Sequence, residues 1–511
     1  MSPNPTTAAA EPTPLSLATL GALPPAVRRP GYERADLTPG IVHFGVGNFH
    51  RAHQAVYLDR LMGAGLAHDW AIIGVGTRPG DVRTLRTLEP QDWLTTVVEQ
   101  SAEASSARVT GPMVGMIAPG DTERTLRALA DPRIRIVSLT ITEGGYYVSA
   151  ETGGFDAAHP EIVADLDAPE PRTVFGLILA GLGRRRAAGV PPFTVMSCDN
   201  LPHNGAVCRA TTVGLARLRD PALADWVEAE VAFPNGMVDR ITPATGERER
   251  RLVRGEHGVA DDWPVFCEDF IQWVLEDRFP TGRPPFEEAG VEFVGDVAAH
   301  EAMKLRILNG GHAVIAYPAA LLGVEFAHEA MAHPLVSAFL DRIETGEIIP
   351  RVGRVPGTDP AAYYTIVRRR FANPKIADTI ARLCLDGSNR QPKFIVPTIA
   401  DAVADGGALG GLALESALWC RYCAGTTEAG EPIAPNDPAW DALTARAAEA
   451  KERPAAWLEM REVYGAVGED ARFAAAFAGA LEALWRDGTA ATLETYLASG
   501  PAAGRSTFGD G

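Results

Sequence analysis

Cysteine is scarce. The chain has six in 511 residues, too few and too scattered for a disulfide framework. Cys420 and Cys423 form a lone CxxC inside ALESALWCRYCAG. A zinc site would want a second pair or neighbouring histidines. Neither is nearby, so the pair reads as buried helix thiols. Positive charge is also in deficit, with Lys plus Arg at 47 against 65 Asp plus Glu, a net charge of −18. Such a chain is poorly matched to nucleic acid or to an anionic membrane surface. A phosphate-bearing ligand would have to be met by local cations or backbone amides. No apolar run reaches the roughly 18 residues of a membrane span. The opening MSPNPTTAAAEPTPLSL lacks the basic start and apolar centre of a secretory signal. Residues 1–37 read as a flexible lead-in, and the default location is cytoplasmic.

The length suits two domains, and 46% hydrophobic with 22% charged residues is ordinary for a globular protein. GIVHFGVGNFHRAHQAVYLDRLMGAG predicts a strand, a glycine turn and a helix from Phe49 onward. WAIIGVGTRPGDVRTLRTL repeats the theme. TERTLRALADP, IRIVSLTIT and PFTVMSCDN continue it. Alternating strands and helices, with strands apolar on both faces, predict a parallel sheet in an α/β domain over residues 38–294. After about residue 295 the texture turns helical, with long patterns in HEAMKLRILNGGHAVIAYPAALLG, PLVSAFLDRIETGEIIPRV, IADTIARLCLDG and ALGGLALESALWCRYCAG. A mostly helical second domain over 295–511 is expected, with a loose tail at SGPAAGRSTFGDG. The fold class is therefore a Rossmann-type α/β domain followed by a mostly α-helical one.

GVGNFH (Gly45 to His50) partly fits the dinucleotide fingerprint. Gly45 and Gly47 are in place, but His50 stands where a third glycine normally allows close helix–strand packing. The plain alternative is an ordinary βα turn. The position of the motif, after a strand and opening a helix in the first βα unit, favours the cofactor. Helix N-terminal amides and Arg51 could then meet a pyrophosphate. Asp81 is the candidate acid for the ribose hydroxyls of NAD, although it lies 36 residues after Gly45 where ~20 is usual. Equally, it could cap the helix DVRTLRTL. Arg78 nearby leaves NADP open.

MKLRILNGGH (Met303 to His312) gathers Lys304, Asn309 and His312 on one segment and then sets two glycines in it. Hydride transfer from an alcohol needs a base for the hydroxyl proton and donors for the developing alkoxide. There is no zinc ligand set and no Tyr placed three residues before a Lys at a strand end. Lys304 is the alternative base, provided burial lowers its pKa to ~7–8. At 3.6 residues per turn Asn309 and His312 fall near one another and Lys304 within the same broad sector. Glu301, one turn earlier, could relay the proton. The glycines would let a ligand approach the backbone. The plain reading is a snorkelling Lys304, a capping Asn309 and a core His312. SCDNLPHNG (Asp199, Asn200, His203, Asn204) and FPNGMVDRITP (Asn235, Asp239, Arg240) are two further polar clusters, open to a ligand-binding or a turn-forming reading.

Together GVGNFHRAHQAVYLD, VSLTITEGGYY, VMSCDNLPHNG, PNGMVDRITP, CEDFIQWVLED, MKLRILNGGH and LDGSNRQPKFIVPTI resemble the polyol-specific long-chain dehydrogenase/reductase (mannitol dehydrogenase) family, from about residue 41 to 400. The resemblance implies a metal-independent active site between the two domains, with Lys304 as general base and Asn200 and Asn309 as the oxyanion pair. It implies that His312 and Asp239 orient the polyol, that Arg382 meets a distal hydroxyl and that Glu301 gates the proton path. Gly45, Gly47, Phe49 and Arg51 match the cofactor loop, and Asp81 the NAD-selecting position. The residue before it, often acidic in the family, is Gly80 here. The implied reaction is NAD-dependent oxidation of D-mannitol at C2 to D-fructose. Fructuronate or tagaturonate reduction, or arabinitol or sorbitol oxidation, are the alternatives. For a uronate, the cations at Arg368 to Arg370 and Arg390 could serve as a carboxylate clamp. Family members are often monomeric, which sets that expectation here.

Overall fold

The first strand of the main sheet, PGIVHF, is buried from Gly40 to Phe44, as a strand covered on both faces must be. In the computed structural model, which describes residues 11–149 and 152–499, five such strands run parallel. They are β1 (Pro39–Phe44), β2 (Ala71–Val75), β3 (Met113–Ile117), β4 (Ile136–Leu139) and β5 (Thr194–Ser197), in the spatial order β3-β2-β1-β4-β5. This is the order of a doubly wound nucleotide-binding sheet. Its switch point lies between β1 and β4, where Val42 pairs with Val137. Side chains alternate between two cores. Val42, Phe44, Val137 and Leu139 pack with Phe175 and Leu179 on one face. Ile41, Ile72 and Ile136 pack with Leu58 and Leu61 on the other.

The crossover helices start where their sequences cap them. Helix α4 (Thr122–Ala130) is capped by Asp121, which accepts from Arg124 N, and α5 (Val174–Ala187) by Thr173, which accepts from Gly176 N. The helix expected from Phe49 onward is two pieces, α1 (Asn48–Ala52) and α2 (Gln54–Gly63). They break at His53, with φ −116° and ψ −89°. The His53 ring is drawn among Phe49, Tyr57 and Trp273, and its Nε2 lies 2.9 Å from the Gln272 carbonyl. Helix α3 spans Asp81–Leu88 and α6 spans Asn204–Arg219.

Two small sheets were not foreseen. Thr95–Gln100 pairs with Ser105–Thr110 and Val265–Glu268. Gln272–Glu276 pairs with Gly236–Asp239 and Glu292–Val294. Part of the stretch read as a flexible lead-in is also built into the fold. Thr13 and Pro14 pair with Val259 and Ala260, and Leu15, Leu23 and Val27 are buried. Their apolar side chains fill a gap beside Val98 and Phe266, which Pro- and Ala-rich composition alone did not reveal. Residues 1–10 and most of the expected loose tail lie outside the described residues.

Contact density divides the chain into two units, Met1–Ala298 and Ala299–Gly511. Among the described residues the second unit is helical, with no extended strand. Its main helices are α7 (Ala298–Met303, starting on the last residue of the first unit), α8 (Gly310–Leu321), α9 (Pro334–Ile343), α10 (Gly410–Cys423) and α11 (Ala471–Ala498). Val314, Phe339, Leu412, Trp419 and Phe477 share its core. Cys420 and Cys423 are buried on α10. IADTIARLCLDG, expected as a long helix, forms only Ile380–Leu383. Among the described residues no helix is long and apolar enough to cross a membrane.

Candidate active site

The turn after β1 needs its first glycine. Gly45 has φ +91°, and a Cβ there would lie 2.0 Å from the Thr140 carbonyl oxygen. Gly47 is extended, and a Cβ on it would meet nothing nearer than 3.9 Å. One glycine thus makes the turn and the next leaves the backbone open, as close approach by a pyrophosphate requires. Arg51 does not supply the facing cation that the sequence suggested. It is 1% exposed, and its guanidinium donates to the Trp263 carbonyl at 2.6 Å and to Asn48 Oδ1 at 2.8 Å. It holds the turn from inside. Phe49 stacks on His53 at 4.8 Å.

A cavity of about 430 Å³ opens at the carboxyl ends of β1 and β2, lined by Phe44, Gly76, Thr77, Thr122, Glu170 and Arg172 among others. Parallel sheets bind ligands at this end of their strands, and Phe44, the residue before the glycine turn, lines the cavity, so the turn and the cavity beside it fit a dinucleotide. Asp81 starts α3 beside it. The carboxylate does not cap its own helix. Oδ2 accepts from the amides of Thr77 at 2.7 Å and Arg78 at 3.0 Å, which fixes the loop after β2. Arg78 is exposed and donates to Thr142 Oγ1 at 3.0 Å.

In the second unit the Lys304 segment departs from the helical wheel. Lys304–Asn309 is π-helical, between α7 and α8. Its bonds join residues five apart, which turns Lys304 and Asn309 towards the same side of the helix. At 3.6 residues per turn they would stand about 140° apart. The shared sector expected of an α-helical wheel therefore does not follow from its period, and the π geometry narrows the angle between the two residues. Lys304 and Glu301 are each 7% exposed, with Met303, Ile307 and Leu308 buried around them. His312, three residues past Asn309 on α8, stacks on Phe371 at 4.2 Å. Desolvation pushes its imidazole down to about 3, against the opposing charge of Asp378 and with the help of Arg382, Arg370 and Arg390. It is a neutral hydrogen-bonding group at pH 7.

The glycine pair does not open the backbone to a ligand, contrary to expectation. Gly310 and Gly311 are both buried. The space beside Gly311 is taken by the Glu344 carboxyl and the Phe371 ring, 3.1 and 3.3 Å from where a Cβ would stand. Phe394 O and Ile395 close the space beside Gly310 at 3.4 and 3.7 Å.

Arg382 is held by Asp378 through both Nε (2.5 Å) and Nη2, with its side chain about half exposed. Arg368 is taken up by Asp341 at 2.8 Å, and Arg390 donates to the Leu383 carbonyl at 3.1 Å. In the first unit, Asn200 is exposed on the loop after β5, while Asp239 ends its strand opposite Gln272 and is 5% exposed. Their polar neighbours are structural. Asp199 accepts from the amides of Ile141 and Thr142 and from the Tyr146 hydroxyl. Asn204 clamps Gly236 through both its amide atoms. Arg240 donates to the carbonyls of Ala52 and Glu268 and to Glu99. Asp199 and Asn204 thus tie together distant segments, 32 to 58 residues apart in sequence, instead of forming the local turns that were the plain alternative.

The sheet order, the glycine turn and the cavity define a Rossmann-type dinucleotide-binding unit. Sequence comparison agrees. The profile of the mannitol dehydrogenase Rossmann domain matches residues 39–288, and that of the mannitol dehydrogenase C-terminal domain matches 296–485. The chain belongs to the mannitol dehydrogenase family. It is 60% identical to mannitol 2-dehydrogenase of Cereibacter sphaeroides, over 93% of this chain and 99% of that one. It is similar to the solved Pseudomonas fluorescens mannitol 2-dehydrogenase in ternary complex with NAD and D-mannitol, with TM-score 0.85 and 43% identity over 95% of this chain and 99% of that one. A D-sorbitol dehydrogenase in substrate-free form matches with TM-score 0.87 and 37% identity, over 94% and 100%.

Proposed function

We propose that this chain oxidises D-mannitol at C2 to D-fructose, reversibly and without a metal. NAD, when bound, supplies the hydride acceptor. Lys304 takes the hydroxyl proton as the C2–H electron pair leaves with the hydride. The side-chain amides of Asn309 and Asn200 donate to the developing alkoxide. His312, neutral, and Asp239 orient the neighbouring hydroxyls, and Arg382 meets a distal one from its pairing with Asp378. Glu301 passes the proton from Lys304 towards solvent. Gly45 and Gly47 form the cofactor turn, Phe49 and Arg51 brace it, and Asp81 selects NAD. The domain boundary belongs near residue 295.

One observation carries the reading. A buried lysine and an asparagine five residues on bound one π-helical turn, which supports pairing them as base and oxyanion donor. The mannitol 2-dehydrogenase relatives support the substrate. The sorbitol dehydrogenase neighbour keeps sorbitol as the second reading. A uronate reading has less support, because Arg368, one of the cations it would call on, is already paired with Asp341.

The test follows NADH absorbance with D-fructose, D-fructuronate, D-tagaturonate and D-xylulose, each with NADH and NADPH, and NAD reduction with D-sorbitol. Oxidation with fructose and NADH is expected. Turnover with a uronate alone would move the substrate. Lys304→Ala should abolish turnover while NADH still binds, and an active variant would sink the lysine mechanism.

A further inference from the structure

Behind the cofactor turn lies a buried polar chain that the reaction itself does not use. His43, His50, Gln54 and Ser138 are each no more than 1% exposed. His43 sits on β1, and its ring lies parallel to that of His50, 3.5 Å between centroids and 11° between planes. His50 occupies the place of the missing third glycine. It fills the gap between α1 and β1 with a ring instead of closing it. His43 Nδ1 lies 2.8 Å from Ser138 Oγ, and Nε2 lies 2.9 Å from Thr140 Oγ1 and 3.1 Å from the Gly45 carbonyl oxygen. Thr140 Oγ1 itself donates to Gly45 O at 2.6 Å.

The direction of the protons follows from counting donors. Thr140 has one hydroxyl proton, and Gly45 O takes it. The hydrogen between His43 Nε2 and these two oxygens must therefore come from the ring. Burial pushes His43 down to about 3 and keeps His50 neutral as well, so Nδ1 carries no proton and accepts from Ser138. Ser138 then cannot also donate to the Gln54 oxygen that lies 3.0 Å away. Gln54 must present its amide nitrogen there, and amide orientation is assigned from the network rather than seen. That turn gives a partner to Gln54 Nε2, which otherwise has none. The result is one-directional: Gln54 to Ser138 to His43 to the Gly45 carbonyl. With Thr140 and the Gly47 amide at 2.8 Å, that carbonyl receives three donors. A trans peptide points its N–H opposite its C=O, so the same clamp fixes where the Val46 N–H faces.

We propose that His43, held flat by His50 and wired to Gln54 through Ser138, is a positioning residue that presets the glycine turn for the cofactor pyrophosphate. The proposal rests on the NAD-binding reading of this turn. His43→Phe keeps a ring for the stack and removes both nitrogens. NADH titration, followed by protein fluorescence, should show Kd rising about tenfold, the loss expected for one to two buried hydrogen bonds. KM for NAD should rise in step, while kcat at saturating NAD and KM for mannitol stay within twofold. His43→Gln, whose amide can still donate to Gly45 O, should recover most of the affinity. Thr140→Val removes a second donor and should weaken NADH binding in the same way, which keeps the test open if His43→Phe fails to fold. A folded variant of either residue that bound NADH within twofold of wild type would overturn the proposal. So would a kcat that fell as far as the affinity. A wild-type chain that bound no NADH would overturn the cofactor reading, and this inference with it.

Discussion

Gly310 and Gly311 are adjacent and both helical in backbone, yet alanine should have opposite effects at the two. At Gly310, φ is −62° and ψ −45°. The added Cβ would meet Phe394 O at 3.4 Å, Ile395 Cδ1 at 3.7 Å and Leu305 O at 3.7 Å, which are ordinary contacts. Alanine over glycine inside a helix gains ~0.8–1 kcal/mol, so Gly310→Ala should raise Tm by about 2–4 °C for a domain of this size. At Gly311 the Cβ would stand 3.1 Å from Glu344 Oε1, 3.3 Å from Phe371 Cε2 and 3.6 Å from Leu340 Cδ1. All three residues are buried, so the neighbours must move. Overpacking of this kind costs ~1–3 kcal/mol, enough to cancel or exceed the helical gain. Phe371 is also the ring on which His312 stacks. Gly311→Ala should therefore leave Tm level or lower and raise KM for mannitol several-fold, with NADH Kd unchanged. Scanning calorimetry and initial rates read both effects. A Gly310→Ala variant several degrees less stable would refute the packing argument. A Gly311→Ala variant with wild-type KM would show that the Phe371 wall does not position His312.

Asn309→Ala should cost roughly 10²–10³ in kcat, as a lost oxyanion donor does, and a few-fold loss would demote it to a structural residue. Gly45→Ala combines a left-handed φ with a Cβ 2.0 Å from backbone, so NADH binding should be lost with a lowered Tm; unchanged titration curves would contradict the turn geometry. Glu415 is buried on α10, accepts from Gln391 Nε2 at 2.6 Å and is pushed up to about 8 by desolvation. Its folded pKa exceeds the unfolded value near ~4.3, so between these limits the unfolded chain gives up a proton that the folded chain keeps. Stability should fall with rising pH there by up to ~1.4 kcal/mol per unit for this group. Glu415→Gln should remove that slope, as melting curves from pH 5 to 9 would show, and a slope identical to wild type would mean that the carboxyl is already ionised when folded.

Where the sequence could be read, one side chain's role followed from one local pattern. The strands of the main sheet are apolar on both faces, so their alternation into two cores could be expected from residues such as Ile41 and Val42. Gly45 needed only its place after a strand. Asp199 and Asn204 could be recognised as polar structure-formers but not told apart from a substrate-facing candidate such as Asn200, because the same residue types serve both ends, and their partners, Ile141, Thr142 and Gly236, lie far along the chain. The short strands at Gly236–Asp239 and Gln272–Glu276 escaped notice because their partners lie far along the chain and their sequences carry charge at the ends. Arg51 looked like a phosphate cation, since composition cannot say that the Trp263 carbonyl and Asn48 would take its guanidinium.

The MKLRILNGGH segment shows a different limit. Its chemistry could be named from its residues, but its geometry could not, because periodicity analysis assumes 3.6 residues per turn and the segment does not obey it. Lys304 and Asn309 turn towards the same side only because five-residue spacing replaces four. A π turn spoils the ladder of a helix, and it survives where tertiary packing over-determines the backbone. Here the packing is visible. A second π-helical stretch, Glu344–Ile348, follows α9, and its Glu344 fills the space beside Gly311. Glu347, three residues on, accepts from the amides of Gly411 and Leu412 at the start of α10. Gly311 therefore leaves room for the neighbouring helix turn, whose packing against the segment helps to hold an unusual backbone in place. The physical reason for Gly311 lies more than thirty residues downstream, in a side chain that no local reading of the motif would have consulted.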